Sequence, residues 1–174
     1  MDRLWRRGIV LLLLIGLCVA GWWGLRRQPA FDAVLSPRVT VRVYFSDAEA
    51  QYLVPEERTL AVAELSPLRL LDELGRGPRR LDLRPTIPPQ ARPLAVNVSD
   101  GVAYVNYSRE LRTNHPGGST GEILTVYSIV ATLTQLPAID AVQLLLEGAE
   151  IDTLVGHLDL SGPLLPDERF IAAP

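Results

Sequence analysis

The dipeptide Asp100-Gly101, set between two alternating apolar runs, constrains the fold of this chain more than any other feature. It interrupts the stretch Leu94-Ala-Val-Asn-Val-Ser-Asp-Gly-Val-Ala-Tyr-Val-Asn-Tyr-Ser108. Asp-Gly favours a two-residue type I′ turn, because both central positions need positive φ. With that turn, Ser99 pairs with Val102, Val98 with Ala103 and Val96 with Val105. Leu94, Val96, Val98, Ala103, Val105 and Tyr107 then share one face, and Asn97, Ser99, Tyr104 and Asn106 the other. A slip of one residue would turn the apolar set to water, so the pattern and the turn specify one register.

The chain has 174 residues, enough for one domain of ordinary size and an appendage. The appendage is N-terminal. Residues 8–25 carry no charge and would span about 27 Å as a helix, near the roughly 30 Å of a hydrocarbon core. Arg3, Arg6 and Arg7 precede this run, Arg26 and Arg27 follow it, and Trp22 and Trp23 lie at its far end, where indole rings favour a membrane interface. A retained signal anchor over residues 1–27 is the first reading, with the N-terminus inside and the body extracytoplasmic. A signal peptide cut after Ala20 is the second. Lipidation at Cys18 is the third, although bulky Leu17 stands where that processing wants a small residue.

Cys18 is the only cysteine, so the body has no disulfide and no thiolate metal site. Its core must suffice, and about 130 residues can supply one. All 17 basic residues are arginine. The segment to Arg27 holds five arginines and one aspartate, and the rest holds 12 arginines and 19 acids. The acidic body argues against a nucleic-acid partner.

Residues 28–38 form a linker with two prolines. Residues 39–45 alternate as a strand, and short strands follow at 52–54 and 58–63, around Pro55 at an edge or turn. Ser66-Pro67 opens a helix with Leu68, Leu71 and Leu74 as its buried stripe. Gly75 serves as its C-terminal cap, and Gly77-Pro78 stops it. Residues 79–93 read as an extended, arginine- and proline-rich loop with one short strand, and residues 109–118 as a second loop. Ser119-Thr-Gly-Glu122 matches a capping box for a helix over residues 119–136. Its stripe is Ile123, Val126, Tyr127, Val130, Leu133 and Leu136, and Pro137 ends it. Residues 141–146 form a last strand closed by Glu147-Gly148, and the tail packs Leu154, Leu158 and Leu160. The order of elements predicts an α+β domain, a small sheet of about five strands with two helices on one face.

Catalytic chemistry is poorly supplied. His115 lies in a Pro-Gly-Gly loop and His157 in an acidic tail, with no nucleophile elbow. The glycines before Ser119 lack the Gly-Lys-Ser/Thr ending of a phosphate loop. Glu147, Glu150, Asp152 and Asp159 do not have calcium-loop spacing. Neither cofactor nor metal is expected. The surface that invites a partner is the arginine loop, with Arg79, Arg80 and Arg84 as candidate contacts. The edge of strand 39–45 is a second. Tyr52, Tyr104 and Tyr107 would serve a glycan-binding alternative, although the hairpin register buries Tyr107. The simplest hydrolase would use Ser119 and His115.

In their order, several segments resemble the GerMN domain. They are Val41-Arg-Val-Tyr-Phe45, Leu53-Val-Pro-Glu-Glu-Arg-Thr59, and a Leu-rich helix ending Gly75-Arg-Gly-Pro78. After these come Ile87-Pro-Pro89, the Asp-Gly hairpin running into Val105-Asn-Tyr-Ser108, Gly121-Glu122, Ala131-Thr-Leu-Thr-Gln-Leu-Pro137 and Val142-Gln-Leu-Leu-Leu-Glu-Gly148. The resemblance spans residues 39–166 and leaves 167–174 as a tail. It implies a fold related to the ring-building motifs of secretion-type assemblies, an extracytoplasmic location and no catalysis. It also implies a structural role in a sporulation, germination or envelope assembly, with envelope proteins or further copies of the chain as partners. The chain departs from the family in ending its hairpin Val-Asn106-Tyr107 where Val-Asp-Phe is common, and in having one domain copy.

Overall fold

A computed structural model describes residues 36–172. The predicted span 8–25 lies outside them, and among the described residues no helix is long and apolar enough to cross a membrane. The unit Arg38–Pro174 is α+β. Its strands are β1 (Arg38–Ser46), β2 (Leu53–Ala61), β3 (Pro93–Ser99), β4 (Val102–Tyr107), β5 (Ala141–Leu146) and β6 (Ala149–Glu150). Its α-helices are α1 (Pro67–Gly75), α2 (Glu110–Thr113) and α3 (Ser119–Leu133). The described strands form two sheets where one of about five strands was expected: an antiparallel β1-β2 pair and a four-stranded sheet ordered β3-β4-β5-β6. In the larger sheet β4 and β5 are parallel, joined by the crossover that contains α3.

The hairpin has the expected register, with Ser99 opposite Val102, Val98 opposite Ala103 and Val96 opposite Val105. Asp100 and Gly101 take φ of 50° and 78°, as a type I′ turn requires. Farther from the turn the pairing shifts, so that Pro93 opposes Tyr107 and Ala95 opposes Asn106. Leu94 is the extra residue and is exposed.

Pro55 does not divide β2. It lies opposite Tyr44, whose N–H points the other way, to the Thr132 hydroxyl of α3 at 3.2 Å. At such a non-hydrogen-bonded pair the missing proline N–H faces the outer edge, so no ladder bond is lost. The same arrangement closes the free edge of β1. Gln135 accepts from the Arg42 N–H at 2.8 Å and donates to the Arg42 carbonyl at 2.6 Å. Ser46 exchanges backbone bonds with Arg84. This edge is therefore occupied along its second half, contrary to its expected role as a partner site.

Ser66 caps α1, its side chain accepting from the Arg69 N–H, with Pro67 at the first helical position. The buried stripe is Leu70, Leu71 and Leu74, with Leu68 exposed. Gly77, with φ of 79°, supplies the left-handed residue after the helix, where Gly75 had been expected to do so. Helix α3 is buried nearly all round. Besides the expected Val126, Val130 and Leu133, it buries Leu124, Ile129 and Ala131. One side meets the main core of Val43, Phe45, Leu71, Val105, Tyr107 and their neighbours. The other meets a second cluster of Tyr44, Leu53 and Leu124, to which Ile171 is added. Residues 167–172 thus pack onto the domain: Phe170 lies 4.5 Å from Tyr127, centroid to centroid, and the Ala172 N–H donates to the Leu53 carbonyl.

Candidate functional site

The arginine loop leaves α1 at Gly77 and runs over a set of buried charges. Arg58 of β2 and Glu73 of α1 are both almost fully buried. The Arg58 guanidinium lies 2.6 Å from Glu56, 3.5 Å from Glu73 and 5.6 Å above the Phe45 ring centroid, and donates to the Gly77 carbonyl at 2.9 Å. Glu73 also receives Arg69 at 3.0 Å, Arg76, and Arg79 at 3.8 Å. The Glu56 carboxylate accepts the backbone N–H groups of Arg79 and Arg80, each at 2.9 Å. Burying such acids without partners would be very costly. The loop is thus the counterion of the charges beneath it, and its backbone is fixed.

This geometry separates the three candidate arginines. Arg79 projects, its side chain 70 % exposed. Arg80 forks onto Asp82 at 3.1 and 2.5 Å, and this bond raises the Arg80 pKa and holds the Asp82 carboxyl below its usual range. Arg84 is committed to the fold, its Nε donating to the Ala48 carbonyl at 2.7 Å and its backbone pairing with Ser46. Pro78 follows Gly77 at the start of the loop. Between Arg80 and Asp82, Leu81 is fully exposed. Sequence reasoning missed Leu81, along with Arg58, Glu56 and Glu73. The alternation of β2 and the three-residue helical spacing of Glu73 from Leu70 were the available signals for the last three.

Ser119 and Glu122 do not form a capping box. Gly118, with φ of 82°, occupies the cap position, Ser119 is the first helical residue, and no side chain caps the helix. Glu122, fully buried, reaches instead to the loop at 153–157. One oxygen accepts from the Thr153 hydroxyl at 2.8 Å and from the N–H groups of Leu154 and Val155 at 2.9 and 3.0 Å. The other accepts from the His157 N–H at 2.8 Å. Burial pushes the Glu122 pKa up, but these donors together carry it below the ordinary carboxylate value.

The histidine chemistry is structural too. His115 Nδ1 accepts from the Gly117 N–H at 2.9 Å, and Nε2 lies 3.1 Å from the Thr125 hydroxyl. That hydroxyl donates to the Thr86 carbonyl at 2.7 Å, so His115 Nε2 carries the proton. Burial lowers the His115 pKa, in keeping with this neutral form. A partly open cleft of about 250 Å³ lies beside it, lined by Arg84, Pro85, Pro88, Pro116 and Leu124 among others. With both ring nitrogens engaged, His115 is not poised to activate a hydroxyl nucleophile. Asp100 and Gly101 serve the sheet: the Gly101 carbonyl accepts from the Asp140 and Ala141 N–H groups at 2.7 and 3.1 Å, joining the turn to the start of β5. Asn106 accepts from the Gly148 N–H at 2.7 Å, supporting the Glu147-Gly148 turn into β6. Among the described residues, no group of three or more His, Cys, Asp or Glu side chains is placed to hold a metal.

Tyr107 is buried, so it offers no sugar-stacking surface. Its hydroxyl has no hydrogen-bond partner, and burial, with Asp72 adding to it, pushes its pKa up. Tyr52 and Tyr104 are exposed. The outer edge of β3 has no strand beside it among the described residues. Because Ser99 and Val102 flank the turn as a hydrogen-bonded pair, the backbone groups of Val96 and Val98 point outward. Strand β3 carries no charge, and Leu94 and Val98 are 46 % and 42 % exposed.

No curated protein matches the chain. Solved structures do. A protein from Clostridium perfringens described as a lipoprotein is 27 % identical, with TM-score 0.55 over 75 % of this chain and 89 % of that one. The first GerMN domain of the sporulation protein GerM from Bacillus subtilis is 26 % identical, with TM-score 0.62 over 73 % and 97 %. The tandem GerMN domains of the same protein share the fold at 24 % identity and TM-score 0.58, over 74 % of this chain and 46 % of that one. The Germane family, described as sporulation and spore germination, matches residues 42–152, and the chain belongs to that family.

Proposed function

We propose that this protein is a membrane-anchored, extracytoplasmic and non-catalytic interaction domain in a bacterial envelope or sporulation assembly. The observation that carries the reading is the outer edge of β3: an uncharged strand that pairs with β4 on one side, has no strand on the other among the described residues, and exposes Leu94 and Val98. Proteins usually protect such edges with charge, proline, bulges or cover; Pro93 and the bulge at Leu94 guard the first end of β3, while Val96 to Val98 carries neither charge nor proline and suits addition of a partner strand. The lipoprotein relative supports the location, and the family's description supports the sporulation assembly. The uncharged run at 8–25 supplies the anchor. The arginine loop is a second contact surface, through Arg79 and Arg80 more than Arg84.

The test is crosslinking and affinity capture of the full chain from growing and sporulating cells. Envelope proteins, or further copies of the chain, recovered with the membrane fraction support the reading. Recovery of the protein alone in both states overturns it and favours a cell-wall or small-ligand module, to be sought by co-sedimentation with purified wall.

A further inference from the structure

Leu81 has no role in the fold. It is fully exposed, and the backbone that presents it is pinned by Glu56 to Arg79 and Arg80, by Arg58 to Gly77 and by Ser46 to Arg84. A leucine held out on a fixed loop is a different object from one on a fraying end. Its neighbours Arg80 and Asp82 neutralise each other. Around this uncharged tip the surface is cationic. Arg58, Arg69, Arg76 and Arg79 share two carboxylates, Glu56 and Glu73, an excess of two positive charges among these six side chains that exposed Asp72, one helical turn before Arg76, reduces to one. Arg76 and Arg79 carry that surplus outward, with side chains 60 % and 70 % exposed. A cleft of about 480 Å³ opens beside the tip, lined by Arg76, Arg80, Leu81, Pro88 and Gln90 among others.

We propose that this loop rests on an anionic lipid surface, with Arg76 and Arg79 against headgroup phosphates and Leu81 at the boundary of headgroups and acyl chains. A lone protruding leucine offers a protein partner little of the roughly 800 Å² per side that a stable interface buries. A bilayer needs only a shallow apolar wedge and compensating positive charge. The inference rests on the membrane-anchored reading above. The stretch 28–37 before β1 reaches at most about 36 Å, so an anchored body stays near the lipid and the loop binds at high effective concentration.

The test places an environment-sensitive fluorophore at position 81 (Leu81→Cys in a Cys18→Ser chain) and reconstitutes the full chain into vesicles. One set is phosphatidylcholine and the other contains phosphatidylglycerol. The expected result is a blue shift with quenching by acyl-chain quenchers in the anionic vesicles, absent in phosphatidylcholine and lost at high salt. Arg80→Gln leaves Asp82 uncompensated beside the tip and is expected to weaken the signal. Each arginine near an anionic surface raises partitioning roughly fivefold, so Arg79→Glu reduces it by more than that factor. Lipid composition and salt decide the outcome without any variant that could disturb folding. No shift in either vesicle, or an equal shift in both, overturns the proposal. A shift that appears only with added envelope protein overturns it in favour of a protein contact. Sedimentation reads anchoring separately. If the chain does not pellet with phosphatidylcholine vesicles, the anchor reading fails. Salt-sensitive pelleting with phosphatidylglycerol vesicles alone then supports the loop, and its absence overturns it.

Discussion

Glu122 offers a sharp test of how the domain is held together. Its carboxylate accepts four hydrogen bonds from the loop at 153–157, three of them from backbone N–H groups, at 2.8–3.0 Å. Glu122→Gln keeps the shape. The best amide orientation presents its oxygen to Thr153, Leu154 and Val155, and its NH₂ then faces the His157 N–H, donor against donor. One charge-assisted bond worth about 1.5–3 kcal/mol is lost, and the other three lose the negative charge that strengthens them. The expected cost is about 3 kcal/mol. For a domain of this size, 1 kcal/mol lowers Tm by roughly 3–5 °C, so the substitution lowers it by about 10 °C. Glu122→Ala, which orphans three backbone donors, costs more. Thermal unfolding at neutral pH, followed by circular dichroism, reads both.

The pH dependence supplies the sign. The folded-state pKa of Glu122 lies below the ordinary 4.5 of a glutamate. Its contribution is therefore complete above that value and is lost as pH falls through the folded pKa. His115 acts in the same direction from higher pH. Its folded pKa lies below 6.5, so protonation favours the unfolded chain as pH drops below that value. Glu122→Gln removes the carboxylate's share of this acid loss and leaves the histidine's. A variant as stable as the parent, or one whose acid loss below pH 5 parallels the parent's, would refute the assignment of Glu122 as the clamp on the loop.

Other positions test the account separately. Tyr107→Phe removes a buried hydroxyl with no partner and is expected to stabilise by about 1 kcal/mol; a destabilisation would mean that the hydroxyl is bonded. At Gly101, φ is +78° and an added Cβ would lie 2.5 Å from the Asp140 carboxylate. Gly101→Ala is thus expected to cost about 1–2 kcal/mol, read as a lower urea midpoint. Arg58→Met strips the central cation from Glu56 and Glu73 and is expected to cost about 3–5 kcal/mol in the same urea experiment.

The hairpin was legible near its turn because its signals are local and agree: an Asp-Gly turn and a period of two leave one register for Val96, Val98, Ala103 and Val105, while the shift that puts Pro93 opposite Tyr107 left no such signal. The α1 cap at Ser66-Pro67 was legible for the same reason. Glu122 was misread because Ser119-Thr-Gly-Glu122 satisfies a local pattern, while its true partners begin 31 residues farther along. Pro55 looked like a break because the sequence does not say which edge of β2 faces outward. Helix α3 showed only one stripe in the sequence because its second apolar cover, Tyr44 of β1 and Leu53 of β2 with Ile171 added, comes from segments distant along the chain. Strand β6, two residues long, has no period to detect, although Glu147-Gly148 repeats the turn chemistry of Asp100-Gly101. Arg79 and Arg80 could be found as charge; that Glu56 fixes their backbone could not, because the contact joins β2 to a loop more than twenty residues away.

The claim that β3 presents a partner-binding edge is tested most directly by photo-crosslinking in cells. A photoreactive amino acid is placed at Val98, on the open edge, and in a separate chain at Arg42, where Gln135 and Thr132 close the edge of β1. A discrete crosslinked species from the membrane fraction is expected at Val98 and none at Arg42. The same species from both positions, or none from Val98 in growing or sporulating cells, would contradict it.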